Sequence, residues 1–356
     1  MGEDKINRRQ MVAAAFVALL SPVARRFPSS LVMVSGSSAW LAAAVALPGL
    51  IIAVLFMGRL LRGGRSLGDV FELSLGKFLG RALVLGVSLW LVFYCGFIFR
   101  SAAYRFFSTV YPSTAGWIFV AFSALCCLPI AMGRFSAIAR LAVLLRPVLL
   151  AVLLGVFALS LGAWELRGIF RLEEADALPA LRSGFTVLNT LSVAAYLGFA
   201  EGHCRENFRS RPYIGWALVL LGVTEMLCLS CLGVFGAELT QKLNFPFFML
   251  VRDVGLSDSF ARLEALVLAL WIFADAVHVS LLLRIAAGNF ERVLGASRRL
   301  WAGVATAAAA GLAIAMPSDM LGVGLFSEKI VPGGNAVILF GLLPLVAAVG
   351  WIRRKV

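Results

Sequence analysis

Charge is scarce in this chain: Asp, Glu, Lys and Arg together make up 14% of its 356 residues, against about a quarter in soluble domains. That shortage excludes an ordinary soluble enzyme. Histidine is scarcer still, with only His203 and His278, and no Gly-x-Ser-x-Gly elbow, phosphate-binding loop or zinc-ligand spacing accompanies them. Gly322-x-Gly324 is a glycine pair after Pro317, not a dinucleotide fingerprint. The chain therefore reads as a non-enzyme with no cofactor and no metal. Cysteines number six, and all but Cys204 sit inside apolar runs, so disulfides between exposed loops are not indicated. Cys228-x-x-Cys231 has the spacing of a redox or metal half-site, but it lies on an apolar stretch with no second pair. It reads as packing.

What is present is apolar surface. Hydrophobic residues are 61% of the chain and mean hydropathy is +0.93. Charge-free runs at Phe27–Gly58, Phe106–Gly133, Leu300–Ser318 and Ile330–Ile352 reach the roughly 20 residues a membrane span needs. The expected fold class is all-α and polytopic, a single membrane domain. Ten transmembrane helices are predicted near 8–33, 39–58, 82–107, 115–133, 140–162, 183–204, 213–237, 262–286, 300–317 and 331–352. The opening Met1-Gly2-Glu3-Asp4-Lys5 and its long apolar continuation predict no cleaved signal.

The net charge of +13 would suggest nucleic acid in a soluble protein, but its distribution points to membrane topology instead. Twenty basic residues fall on the side of both termini and eleven on the other, where ten acidic residues nearly cancel them. This bias predicts cytoplasmic termini.

Two spans are interrupted at comparable places. The first meets Ser21-Pro22 thirteen residues after Arg8, about 20 Å along a helix and near the middle of a bilayer core. The sixth carries Tyr196-Leu197-Gly198-Phe199-Ala200-Glu201-Gly202, a carboxylate between glycines. Breaks in the first and sixth of ten helices point to two five-helix inverted repeats, about 8–162 and 183–352, with a ligand site at the breaks. The bland alternative is two kinks that only shape packing.

The candidate site residues follow. Leu20, Ser21 and Pro22 stand at the first break, with Gly198, Phe199, Ala200 and Glu201 at the second. Glu201 reads either as the counter-ion of a ligand ammonium group or as a cap for unwound backbone. Asp275 and His278 lie three residues apart on one helix face, within hydrogen-bonding reach of each other, and read as ligand or proton groups or as a pair binding helices together. Tyr94, Trp271 and Phe199 are candidate walls of an apolar pocket. Glu225 is expected to pair with an arginine of another helix. Arg25, Arg26, Arg100 and Arg105 are expected to snorkel to the headgroups.

Several motifs in order then carry a resemblance. They are Ala39-Trp40, Leu75-Gly76-Lys77-Phe78-Leu79-Gly80, Tyr111-Pro112-Ser113-Thr114 and Gly198-Phe199-Ala200-Glu201, followed by Asn244-Phe245-Pro246, Arg252, Phe260-Ala261-Arg262-Leu263-Glu264 and Trp271. With these the chain resembles the B subunit of spore germinant receptors, the GerAB-type spore permease family of the amino acid, polyamine and organocation transporter superfamily. The chain departs from the family pattern at Ser21-Pro22 with Arg25-Arg26 beyond, at Ala115, and at the polar His203-Cys204-Arg205-Glu206-Asn207. The resemblance implies a LeuT-type fold in the inner membrane of a spore, A and C partner subunits, and a site for a small nutrient such as an amino acid. The rival expectations are a proton- or sodium-coupled secondary transporter and a scaffold with a vestigial pocket.

Overall fold

The computed structural model describes residues 4–109, 114–165, 177–254 and 263–353. Tyr111-Pro112-Ser113 and Phe260-Ala261-Arg262 lie outside the described residues, as does the side chain of Arg26. No β-strand forms among the described residues; the chain is a bundle of helices.

Helix α1 runs Arg8–Ser35, started by a capping box in which the Asn7 side chain accepts the Gln10 amide and the Gln10 side chain accepts the Asn7 amide. A 3-10 turn, Gly36–Leu41, leads into α2, Ala42–Leu60. A short amphipathic helix, α3 (Leu67–Leu75), follows and ends at Gly76, whose φ of +87° is open to glycine and strained for other residues. Then come α4 (Lys77–Thr109), α5 (Gly116–Met132), α6 (Phe135–Ser160) and α7 (Ala177–Ser192). The α7 rod continues as a 3-10 helix, Val193–His203. Next are α8 (Ser210–Lys242), the short α9 (Pro246–Val254), α10 (Leu263–Leu294) and α11 (Arg298–Ala315). The last rod alternates α and π winding: α12 (Met320–Leu325), π Phe326–Ile330, α13 (Val331–Ala336), π Val337–Leu342 and α14 (Leu343–Ile352).

Each expected span falls on a helical stretch. Among the described residues, seven stretches, counting 27–60 as one, are long and apolar enough to cross a membrane, and Gly116–Met132 is a shorter apolar helix. Apolar side chains such as Phe78, Leu125 and Leu144 stay exposed, as helices facing lipid require.

Helix α1 is the centre of the bundle. It packs on α6, α7, α8 and α10, and nearly every described side chain from Met11 to Val32 is buried. The expected break at Ser21-Pro22 does not appear, because the helix continues through both Pro22 and Pro28. Proline removes one N–H and crowds the preceding turn, but neighbours on all sides hold the rod straight enough to remain helical. In the sixth rod the winding does change, from α to 3-10, and it does so at Val193 before Gly198 is reached.

The basic end of the bundle is tied to the start of the chain. Ile6 exchanges backbone hydrogen bonds with the segment after the 3-10 helix, its N–H donating to His203 and its carbonyl accepting from Arg205. The Asp4 carboxylate accepts the amides of Phe135 and Ser136 at 2.7 and 3.0 Å, capping α6. Burial would raise its pKa, but those two N–H groups and Arg284 hold it below the usual 3.8. Arg292 clasps Asp69 and Glu72 of α3 at 2.7 and 2.8 Å.

Candidate functional site

The sequence-derived residues separate into two clusters along α1, about 20 Å apart by helical rise. The first lies at mid-depth. The Ser21 hydroxyl donates to the Asp275 carboxylate. On its other oxygen Asp275 accepts from Arg105 Nη2 at 2.5 Å. The Arg105 guanidinium lies over Trp271, 4.9 Å from the ring centroid. Arg25 is close enough to act on the same carboxylate electrostatically and lies 6.0 Å from the Phe97 ring centroid. Tyr94 meets His278 edge-on at 5.7 Å. Leu20 is buried on the far side of α1, toward Trp271 and Leu149.

Arg25, Arg100 and Arg105 are 5%, 6% and 1% exposed, so they do not snorkel. Asp275 supplies the countercharge for Arg105, while Arg100 donates to the Pro317 carbonyl at 2.9 Å. An ion pair is the form in which charge is tolerated inside a membrane protein. Asp275 and His278 do not bond each other. Both ring nitrogens of His278 lack a hydrogen-bond partner among the described residues although the residue is 1% exposed. Glu225 is half-buried and forms no ion pair among the described residues, so its expected arginine is not found.

Beside this cluster opens a cavity of about 460 Å³ between α1, α4, α7 and the last rod. Pro22, Arg25 and Tyr94 belong to both the cluster and the cavity wall. Opposite them, Asn335 of α13 accepts hydrogen bonds from Trp90 Nε1 and the Tyr196 hydroxyl at 2.9 and 3.0 Å. Asn189 of α7 donates to the Pro332 carbonyl at 2.8 Å. Together these bonds fasten the α- and π-wound rod to α4 and α7.

The second cluster is at the basic end. Glu201 accepts two bonds from Arg8, at 2.5 and 2.8 Å, with both side chains buried. Arg8 also donates to the Tyr213 hydroxyl at 3.2 Å and the Glu206 carbonyl at 2.6 Å, and it stands over the Phe208 and Tyr213 rings. Gly198 presses against α2 and α3: a methyl group there would lie 2.8 Å from both Leu67 Cγ and Met57 Cε. Phe199 packs edge-on against Phe71 at 5.8 Å. Phe199 and Ala200 face a polar cavity of about 390 Å³ with His203, Arg284 and Arg292.

Ser21, Pro22, Tyr94, Trp271, Asp275 and His278 are thus brought together, whereas Leu20 lies across α1 from them beside Trp271, and Gly198, Phe199, Ala200 and Glu201 are not among them. Sequence reasoning missed Arg8, Arg105, Asn189 and Asn335. A usable signal existed for the first two, since intramembrane carboxylates such as Glu201 and Asp275 tend to pair with a cation from another helix, although Glu225 does not among the described residues. For the two asparagines no spacing pointed to the cavity.

Comparison with known proteins agrees with this architecture. Among curated proteins none matches significantly. Among solved structures, a crystal structure of MhsT in complex with L-phenylalanine superposes with a TM-score of 0.65 at 17% identity, covering 95% of this chain and 89% of that one. This places the helices in a LeuT-type fold. The family described as spore germination protein, Spore_permease, matches residues 5–319, and the chain belongs to that family of membrane permeases.

Proposed function

We propose that this chain is the membrane subunit of a spore germinant receptor and that it binds a small amino acid in the mid-depth cavity. The observation that carries the reading is the cavity itself. Its volume of about 460 Å³ lies in the range of small-molecule sites, and it adjoins the buried mid-depth cluster through Pro22, Arg25 and Tyr94. Its wall carries both signs of charge, Arg25 and Lys329 with Glu328, together with the amides of Asn189 and Asn335, which suits a zwitterion. The L-phenylalanine bound by MhsT supports an amino acid as the ligand class.

In this reading the chain has ten spans in two repeats, 8–162 and 183–352, and both termini face the cytoplasm of the spore's inner membrane. A and C subunits act as its partners. Ligand binding favours one packing of the last rod against α1 and α4, and the partners report the shift. Spores carrying Tyr94→Ala should need a higher nutrient dose for half-maximal germination at normal protein level. An unchanged dose would contradict the proposed site.

A second reading, a proton-coupled carrier, is favoured by His278, a buried imidazole with no hydrogen bond among the described residues, one helical turn from Asp275. Uptake of labelled amino acids into proteoliposomes separates the two. A receptor shows no accumulation, whereas a carrier shows accumulation that a proton gradient drives and His278→Ala abolishes.

A further inference from the structure

A second cavity, of about 390 Å³, lies between α2, the α7 rod, α8 and α14, well away from the mid-depth cluster. Its wall is almost wholly apolar, formed by residues such as Gly49, Ala53, Phe56, Ala195 and Phe340. Ile52 and Phe340 on its rim are exposed, so the cavity is open sideways to the bilayer. It is too small for a partner helix, which is about 10–12 Å across with its side chains. A flexible acyl chain fits such a slot.

The basic end of the slot is charged. At its mouth the end of α2 touches the start of α8 and the residues just before it: a methyl group at Gly58 would lie 2.8 Å from Ser210 Oγ and 3.2 Å from the Phe208 ring. Two stretches far apart in sequence therefore bring Arg59 and Arg62 together with Arg205, Arg209 and Arg211. All five are exposed, and none forms an ion pair among the described residues. Glu206 stands among them in sequence. Guanidinium groups bind phosphate through paired N–H donors, and basic clusters at the cytoplasmic edge of membrane helices attract anionic lipid.

We infer that this chain holds one anionic phospholipid, with an acyl chain in the slot between α2, α7 and α14 and its phosphate on Arg59, Arg209 and Arg211. The inner end of the slot reaches Gly198 and Glu201. The lipid accordingly packs on the 3-10 segment whose carboxylate is tied to Arg8, and it stabilises that winding. The site is independent of the proposed amino-acid cavity.

The test is native mass spectrometry of the purified protein exchanged into micelles containing phosphatidylglycerol and phosphatidylcholine of equal chain length. The wild type should retain one phosphatidylglycerol in preference to phosphatidylcholine. Ala53→Phe, which fills the slot, should lose it; if that variant fails to fold, Ala53→Leu makes the same test. The triple variant R59Q/R209Q/R211Q should bind phosphatidylglycerol roughly 100-fold more weakly. Equal retention of the two lipids by the wild type, or retention unchanged in the Ala53 variants, would overturn the inference. So would displacement by inorganic phosphate alone, or a triple variant that loses a partner subunit while keeping its lipid.

Discussion

Replacing Asp275 with Asn keeps the shape of the side chain and removes its charge. The Arg105 guanidinium, 1% exposed and 2.5 Å from the carboxylate, would then face a neutral amide, and Arg25 would lose the same countercharge. Breaking a buried pair from one side costs about 3–5 kcal/mol, or roughly two to four orders of magnitude in the folding equilibrium. Removing both partners costs much less, because the desolvation of both charges is recovered. Arg105→Met with Asp275→Leu should therefore be more stable than the sum of the single changes, by about 2 kcal/mol or more. The assay is equilibrium unfolding of the four proteins in mixed micelles. Additivity within about 0.5 kcal/mol would refute the pairing as the reason these charges are tolerated at mid-depth.

The second cluster makes a parallel prediction: Glu201→Gln strands Arg8, costs about 3–5 kcal/mol and lowers protein level on immunoblots, while nutrient sensitivity per molecule stays normal. A shifted dose at full protein level would instead make Glu201 a ligand group. Gly198→Leu overpacks against Leu67 and Met57 and should cost about 1–3 kcal/mol; an unfolding midpoint equal to wild type would contradict the close contact. The Asp4 carboxyl is depressed below 3.8, so its contribution is complete above about pH 5 and is lost as pH falls through the folded value. Asp4→Ala should cost about 1 kcal/mol at neutral pH and make the acid limb of the stability profile less steep, and an unchanged acid limb would rule out the cap.

Much of the architecture was legible because membrane helices announce themselves by length: an α1 near 8–33 was expected and Arg8–Ser35 is found. In the sixth rod the chain does not break at Gly198–Gly202 as expected: it stays helical, and its change of winding starts earlier, at Val193, which the carboxylate between glycines did not mark. The break expected at Pro22 does not form, because proline reports a missing donor and says nothing of the four helices packed around it. Arg105 was misplaced for a similar reason. Counted from the helix end it is near the headgroups, but the side of α4 it occupies faces Asp275. Pairing across the bundle depends on helix rotation, which a single sequence leaves open. Likewise the sequence left Glu201 open as a ligand counter-ion or a backbone cap, and the fold sets it instead beside Arg8, at the other end of α1 from the cavity.

The central claim is that the cavity between α1, α4, α7 and the last rod binds an amino acid, and equilibrium binding of labelled L-amino acids to the purified protein in nanodiscs tests it most directly. The account predicts saturable binding of at least one of them at one site per chain, lost in Ala336→Phe, which fills the cavity, and retained in Ala53→Phe, which fills only the lipid slot. No saturable binding of any amino acid, or binding that survives Ala336→Phe in folded protein, would contradict it.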